Sequence, residues 1–469
     1  MPVRSLTEAL PAAWTRGEIS VIGLARSGQA VAELLRRAGA DVYASDAHAG
    51  HAVLRATLAL EPLGVDVEHG NHDLERIARS ALVVASPGVP PDAPPMRAAR
   101  DAGVPIVGEM EIALQFLPGQ RYIAVTGTNG KTTTTALVHR LLEGLGYRTV
   151  AAGNIGTPLS VIALQDTAPD WVALETSSFQ LHDTPSIAPA VGVLTNLSAN
   201  HLDRYDSVEG YFADKRELFR NAGDRSVWVS NADDEAVQKM VEGVAGRHLR
   251  FTSAQGAADG YYDRATDSLV ILGETLVTRD ELVLLGDHNV ANALAAALAV
   301  MSADALHAEP LSRAKIADAL RRFRALEHRI EPAGRYDDVE WINDSKSTNV
   351  ASTLVALRGM RRPTILLLGG RHKGEPYTAL GDDLKRTAKL VIAYGEAGST
   401  IVQDLRNTVP VELLGSAFEE VIARARDAAA PGDAVLLSPA CSSYDMFDNY
   451  EERGRVFKQL AAELGTANA

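Results

Sequence analysis

The chain has 469 residues, of which 46% are hydrophobic and 23% charged, an ordinary balance for a folded soluble protein and too long for one hydrophobic core. A formal net charge of −14 excludes a general nucleic-acid binder, which needs a basic face, but leaves room for small phosphorylated ligands held by a local cluster of donors. The single cysteine, Cys441, excludes an intramolecular disulfide and a cysteine metal cluster.

Along the chain, Met1 to Ser20 is broken by Pro2, Arg4, Pro11 and Arg16 and carries no apolar stretch of signal-peptide length. Ile19–Leu24 is a first strand candidate, followed by helical spacing over Gln29–Ala38 and a second strand at Val42–Ser45 that ends on Asp46. Ala81–Ala85 is a third strand, closed by Ser86-Pro87-Gly88, and the Pro-rich stretch Pro87–Pro95 reads as a loop. A second α/β block begins at Tyr122–Thr126, continues through a glycine loop into a helix over Lys131–Leu145, and adds strands at Trp171–Glu175, Val191–Thr195 and Val227–Ser230. The Ala-rich run Ala293–Met301 is about half the roughly 20 residues of a membrane span. A third block starts near Glu327, with strands at Ile365–Leu368, Leu390–Tyr394 and Ala434–Ser438. The expectation is an α/β protein of three domains, 1–109, 110–325 and 326–469. They would be Rossmann-like, P-loop ATPase-like and Rossmann-like in turn, in a cytoplasmic chain with no membrane insertion.

The sharpest motif is Thr126-Gly127-Thr128-Asn129-Gly130-Lys131-Thr132-Thr133, between an apolar strand and a helix. Glycines let backbone N–H groups turn around a phosphate, the helix N-terminus adds positive charge, Lys131 reaches the outer phosphates, and Thr132 offers a hydroxyl to Mg²⁺. The common pattern has Gly six residues before the Lys, where this chain has Val125. In the first block, Gly23-Leu24-Ala25-Arg26-Ser27-Gly28 nearly reads as a dinucleotide fingerprint, but Ala25 stands where the second Gly belongs.

Thr126–Thr132 (TGTNGKT) resembles the ATP loop of the Mur ligase family, which includes folylpolyglutamate synthase. Further segments are similar to the member that adds glutamate to UDP-N-acetylmuramoyl-L-alanine: Glu175–Leu181 (ETSSFQL), Asn196–Tyr205 (NLSANHLDRY), His288-Asn289 with Asn292, His328-Arg329, Asn343–Asn349 (NDSKSTN) and Ser438–Tyr450 (SPACSSYDMFDNY). The resemblance covers nearly the whole chain. It implies an ATP-dependent amide ligase of peptidoglycan precursor synthesis that works through an acyl phosphate, using ATP and two Mg²⁺ ions, with a monomer expected. It implies ATP contacts at Gly127, Thr128, Asn129, Gly130, Lys131, Thr132, Thr133, Asn289, Asn292, Arg329 and Asp344. It implies catalytic roles for Lys131, Glu175, His201 and Lys215, and metal ligation by Thr132, Glu175, His201 and Lys215, the last as a carbamate, since an ammonium cannot bind Mg²⁺. Without the family, Glu175 reads as a strand-end surface residue and Asp214-Lys215-Arg216-Glu217 as a solvated helix face.

The UDP part of the substrate would meet Arg26, Ser27, Gly28, Asp46, Ser86 and Gly88, with Asn154 toward the muramoyl portion. Glutamate would meet Lys346, Thr348, Lys373, Ser443, Tyr444 and Tyr450. Arg371-His372 and Tyr450 depart from the usual residues of that pocket, and D- and L-glutamate carry the same charges, so stereochemistry stays open at this point. A dehydrogenase would leave the Lys131 loop idle, an ATP-dependent switch would leave the later polar clusters unexplained, and a folylpolyglutamate synthase should lack the first 109 residues.

Overall fold

The structure is a computed structural model that describes residues 4–466 except 200–204, 206, 255, 285 and 325. The chain forms two compact units, Met1–Glu281 with Val290–Arg322, and Leu282–Asn289 with Phe323–Ala469.

The first unit holds two sheets. The first contains β1 (Ile19–Ile22), β2 (Val42–Asp46), β3 (Asp66–His69), β4 (Leu82–Ala85) and β5 (Ile106–Gly108), in the order β3-β2-β1-β4-β5 with every pair parallel. β1 and β4 are buried on both faces, which is why they read as unbroken apolar runs rather than alternating ones. The helix Arg26–Arg37 covers this sheet with Val31, Leu34 and Leu35. The Pro-rich loop ends earlier than the sequence suggests. Pro94 and Pro95 are the first two residues of the helix Pro94–Asp101, positions whose N–H groups have no partner within a helix in any case.

The second sheet contains β6 (Tyr122–Thr126), β7 (Thr149–Gly153), β8 (Trp171–Glu175), β9 (Val191–Leu194), β10 (Val227–Asn231), β11 (Arg247–Thr252), β12 (Gly260–Asp263), β13 (Ser268–Ile271) and β14 (Glu274–Thr278). Its order is β14-β13-β12-β11-β10-β9-β6-β8-β7. It is parallel from β7 to β12, and β13 and β14 add antiparallel at the edge. The Ala-rich run lies in the helix Asp287–Ala303, where Ala293–Met301 is buried throughout. Among the described residues no helix is long and apolar enough to cross a membrane.

The second unit holds β15 (Glu331–Tyr336), β16 (Val339–Asn343), β17 (Thr364–Gly369), β18 (Ala388–Tyr394), β19 (Val411–Leu413) and β20 (Ala434–Leu437), in the order β15-β16-β20-β17-β18-β19. All pairs are parallel except the β15–β16 hairpin. In open parallel sheets ligands bind outside the carboxyl ends of strands where the connection order reverses. Those ends here are the loops after β1 and β4, after β6, β8 and β9, and after β16, β17 and β20.

Candidate active site

The loop after β6 is shaped by its glycines. Gly127 (φ +142°) and Gly130 (φ +80°) occupy backbone conformations that side chains disfavour, and a Cβ at Gly127 would overlap Thr195 Oγ1. The segment after β9 laces the loop in place: Asn129 N–H donates to Asn196 Oδ1 (2.8 Å), Thr128 N–H to the Asn196 carbonyl (2.8 Å), and Thr195 Oγ1 to the Asn129 carbonyl (2.6 Å). The helix Lys131–Gly144 starts immediately after, its N-terminus aimed into the loop. Val125, the departure from the common pattern, is fully buried inside β6, in register with Glu175 and Val193.

Lys131 Nζ donates to the Thr128 carbonyl (2.8 Å). Lys215 Nζ donates to the Gly127 carbonyl (2.7 Å) and lies 4.6 Å from the centre of the Tyr211 ring. Lys215 is 1% exposed, so the reading of its helix face as solvated fails. Burial holds its ammonium well below the usual lysine range; Lys131 pushes it further down, and Glu175 and Asp214 oppose. Its helix, Val208–Arg216, is pinned through Asp214, which accepts from Tyr205 Oη (2.7 Å) and meets His182 Nδ1 (2.8 Å).

Glu175, at the end of β8, is also 1% exposed rather than a surface residue. Its Oε1 accepts from Asn154 Nδ2 (2.8 Å), while its Oε2 is buried with no hydrogen-bond partner among the described residues. A buried carboxylate oxygen without a donor needs a counter-charge, and a hard cation such as Mg²⁺ matches it. Among the described residues no three His, Cys, Asp or Glu side chains gather as a metal cluster, and His201 lies outside the described residues.

Between the loops of the first two sheets lies a cavity of about 630 Å³. Arg26, Ser27, Asp46, Ser86 and Gly88 line one side, and Gly153, Asn154, Gly156 and Gln180 the other. Asp46 organises the loops around it: Oδ2 accepts from Leu24 N–H (2.8 Å) and Oδ1 from His48 N–H (2.9 Å). Ser86 Oγ donates to the Gly23 carbonyl (2.8 Å). Gly28 is not among the lining residues; a Cβ there would overlap the Gly23 carbonyl, so its part is to let the helix approach the loop. His72 also faces the cavity, with Nδ1 2.8 Å from Ser45 Oγ, and a lone loop histidine gave no signal in the sequence.

In the second unit the loops after β16, β17 and β20 carry the remaining candidates. Asp344 is almost fully buried, accepting from Ser347 Oγ (2.5 Å), Ser438 Oγ (2.8 Å) and Ile330 N–H (3.2 Å). Burial pushes its carboxyl up to about 6, against these donors and the Arg329 charge. Lys373 Nζ donates to Thr348 Oγ1 (3.3 Å), and Lys346 Nζ lies 5.0 Å from the Tyr450 ring centre. Ser443 is buried, whereas Tyr444 is 65% exposed on this unit. Asn292 sits in the first unit, accepting from Thr134 Oγ1 (3.2 Å) beside Gly130, and Asn289 is grouped with the second.

Residues 17–108 match the family model described as Mur ligase MurD-like, N-terminal domain; residues 125–300 match the Mur ligase middle domain; residues 328–441 match the Mur ligase, glutamate ligase domain. The UDP-N-acetylmuramoylalanine--D-glutamate ligase of Acidobacterium capsulatum is 39% identical over 458 residues, covering 96% of this chain and 97% of that one. The chain belongs to the Mur ligase family. The enzyme of the same name from Salinibacter ruber is 38% identical, covering 96% of this chain and 98% of its own. Solved Mur ligases share the fold. MurF from Acinetobacter baumannii superposes with a TM-score of 0.63 at 16% identity, covering 99% of this chain and 100% of that one. The UDP-N-acetylmuramate-alanine ligase MurC from Thermotoga maritima gives 0.61 at 20% identity, covering 96% and 100%. Like its relatives, this Mur ligase is an ATP-dependent enzyme that forms an amide bond.

Proposed function

We infer that the chain joins D-glutamate to UDP-N-acetylmuramoyl-L-alanine with consumption of ATP, a step in making peptidoglycan precursors. The observation that carries the reading is the 2.8 Å contact between Asn154 and Glu175. It couples the wall of the 630 Å³ cavity to the mouth of the Lys131 loop, in a chain whose whole length is similar to D-glutamate ligases. A UDP-sugar seated in that cavity, held by Arg26, Ser27, Asp46, Ser86 and Gly88, would end with its alanine carboxylate near Asn154 and so near the γ-phosphate.

An amide does not form from a carboxylate and an amine in water without a driving force. In this reading the alanine carboxylate oxygen attacks the γ-phosphorus and ADP leaves. The amine of glutamate then adds to the acyl phosphate carbon, and phosphate leaves as the amine proton is lost. The protein's work in phosphoryl transfer is positioning and charge neutralisation. Gly127–Thr133 would wrap the phosphates, with Lys131 at the outer ones and Asn289, Asn292, Arg329 and Asp344 completing the nucleotide contacts. Thr132 and Glu175 would hold one Mg²⁺, and His201 with Lys215 as a carbamate a second, and the ions would supply positive charge to offset that of the phosphates. A neutral, buried Lys215 amine is the form that adds to CO₂, so the burial supports the carbamate. Lys346, Thr348 and Lys373 would meet the two carboxylates of glutamate, with Ser443, Tyr444 and Tyr450 around it. We take residues 1–109, 110–325 and 326–469 as the UDP-substrate, ATP and amino-acid domains of a cytoplasmic monomer.

Oxygen tracing tests the route. With ¹⁸O in the alanine carboxylate, one labelled oxygen should appear in the phosphate released. Unlabelled phosphate would mean that the carboxylate never attacks phosphorus.

A further inference from the structure

Behind the loops assigned to glutamate runs a chain of groups, buried except at its His372 end, that none of the assigned roles uses. Arg453, in the helix Tyr450–Thr466, is 0% exposed. Its guanidinium donates to the Ser345 carbonyl (2.7 Å), to Ser345 Oγ (2.9 Å) and, from both terminal nitrogens, to the Cys441 carbonyl (3.2 Å). Cys441 is fully buried, and its Sγ lies 2.9 Å from Tyr377 Oη, which in turn lies 2.9 Å from His372 Nδ1. The chain therefore starts one residue before Lys346, passes two residues before Ser443, and ends one residue before Lys373.

The backbone repeats the connection. Arg371 N–H donates to the Ser442 carbonyl (2.9 Å), and the two loops approach so closely that a Cβ at Gly370 would overlap that carbonyl. Burying a guanidinium is costly unless its donors are met. Among the described residues the hydrogen bonds of Arg453 go to carbonyl and hydroxyl oxygens and none to a carboxylate, although the Asp445 charge acts on it. Apolar packing of the same volume would hold a core at least as well. What the planar fork adds is a fixed geometry between two loops, together with a positive charge behind a pocket for a doubly anionic amino acid.

We propose that Arg453, acting with Cys441 and Tyr377, is a positioning device that sets the loops of Lys346, Lys373 and Ser443 to receive both carboxylates of glutamate. This rests on the assignment of those loops to glutamate. Misplacing binding groups by a fraction of an ångström weakens a two-point contact sharply, while ligands held by other loops are unaffected.

The test is steady-state kinetics of the full chain, wild type first, then Tyr377→Phe and Arg453→Lys, with thermal melting to confirm folding. Tyr377→Phe removes one hydroxyl and keeps the ring, so KM for D-glutamate should rise roughly tenfold. Arg453→Lys keeps the charge and loses the fork, so its KM for D-glutamate should rise further, with both other KM values within about twofold of wild type. A folded Tyr377→Phe with wild-type KM for D-glutamate would overturn the proposal, whether or not Arg453→Lys folds. A parallel rise of all three KM values would also overturn it, since that marks general loosening. Wild type that does not use D-glutamate would sink the glutamate assignment itself, before any variant is compared.

Discussion

Lys215 carries the most chemistry that the sequence could not display. Its neighbours Asp214, Arg216 and Glu217 give the pattern of a solvated helix face, yet the side chain is buried under Tyr211 against the Gly127 carbonyl. Only the family resemblance singled it out, because hydropathy does not reveal which face of a short charged helix turns inward. Lys215→Arg should keep the fold and lose nearly all turnover: a guanidinium stays cationic and cannot become a carbamate. Activity near wild type, read by coupled ADP release, would remove Lys215 from the mechanism. Asp344 gives a second test, on stability. Its carboxyl is raised from 3.8 to about 6 in the folded state. A raised acid favours folding most when protonated, so this contribution is complete below about pH 4 and is lost as pH rises through 6. Asp344→Asn has no such proton to lose. Urea unfolding should show the variant gaining on wild type between pH 4 and 7, by about 3 kcal/mol at most. A difference independent of pH would contradict the burial argument.

At the scale of elements, the buried parallel strands were the most legible. β6 and β8 have the bounds that the sequence suggests, because every residue is buried and all but the last, Thr126 and Glu175, are apolar. β3 (Asp66–His69) and the β15–β16 hairpin were missed: β3 is a polar edge strand, and β15 carries Pro332 and Gly334. The phosphate loop was legible as a motif, but its anchoring by Thr195–Asn196 was not, since that contact joins two strands about 70 residues apart. The anchoring predicts different consequences for two glycines. Gly127→Ala meets both an unfavourable φ and Thr195 Oγ1, so it should cost about 1–3 kcal/mol and weaken ATP binding. Gly146→Ala, after the same helix, has an unfavourable φ (+98°) but open space, so it should lower the melting temperature and leave ATP affinity alone. Equal ATP affinity in the two variants, by calorimetry, would show that the loop does not depend on that packing.

For the whole molecule, composition and charge bounded the class, and the order of motifs along 469 residues identified the family. The cavity wall was only partly legible: Asp46 and Ser86 stand out at strand ends and Gln180 lies in the Glu175–Leu181 segment, whereas His72 reaches it from a loop position that carries no pattern of its own. The handedness of the amino acid was not legible at all, because mirror-image glutamates present the same charges; whole-length similarity to D-glutamate ligases supplies that choice. The most direct measurement is therefore phosphate release from ATP with UDP-N-acetylmuramoyl-L-alanine and either D- or L-glutamate. Stoichiometric release is expected with D-glutamate, and none above background with L-glutamate or without the UDP-linked acceptor. Release with L-glutamate alone, or with neither enantiomer, would contradict the proposed function.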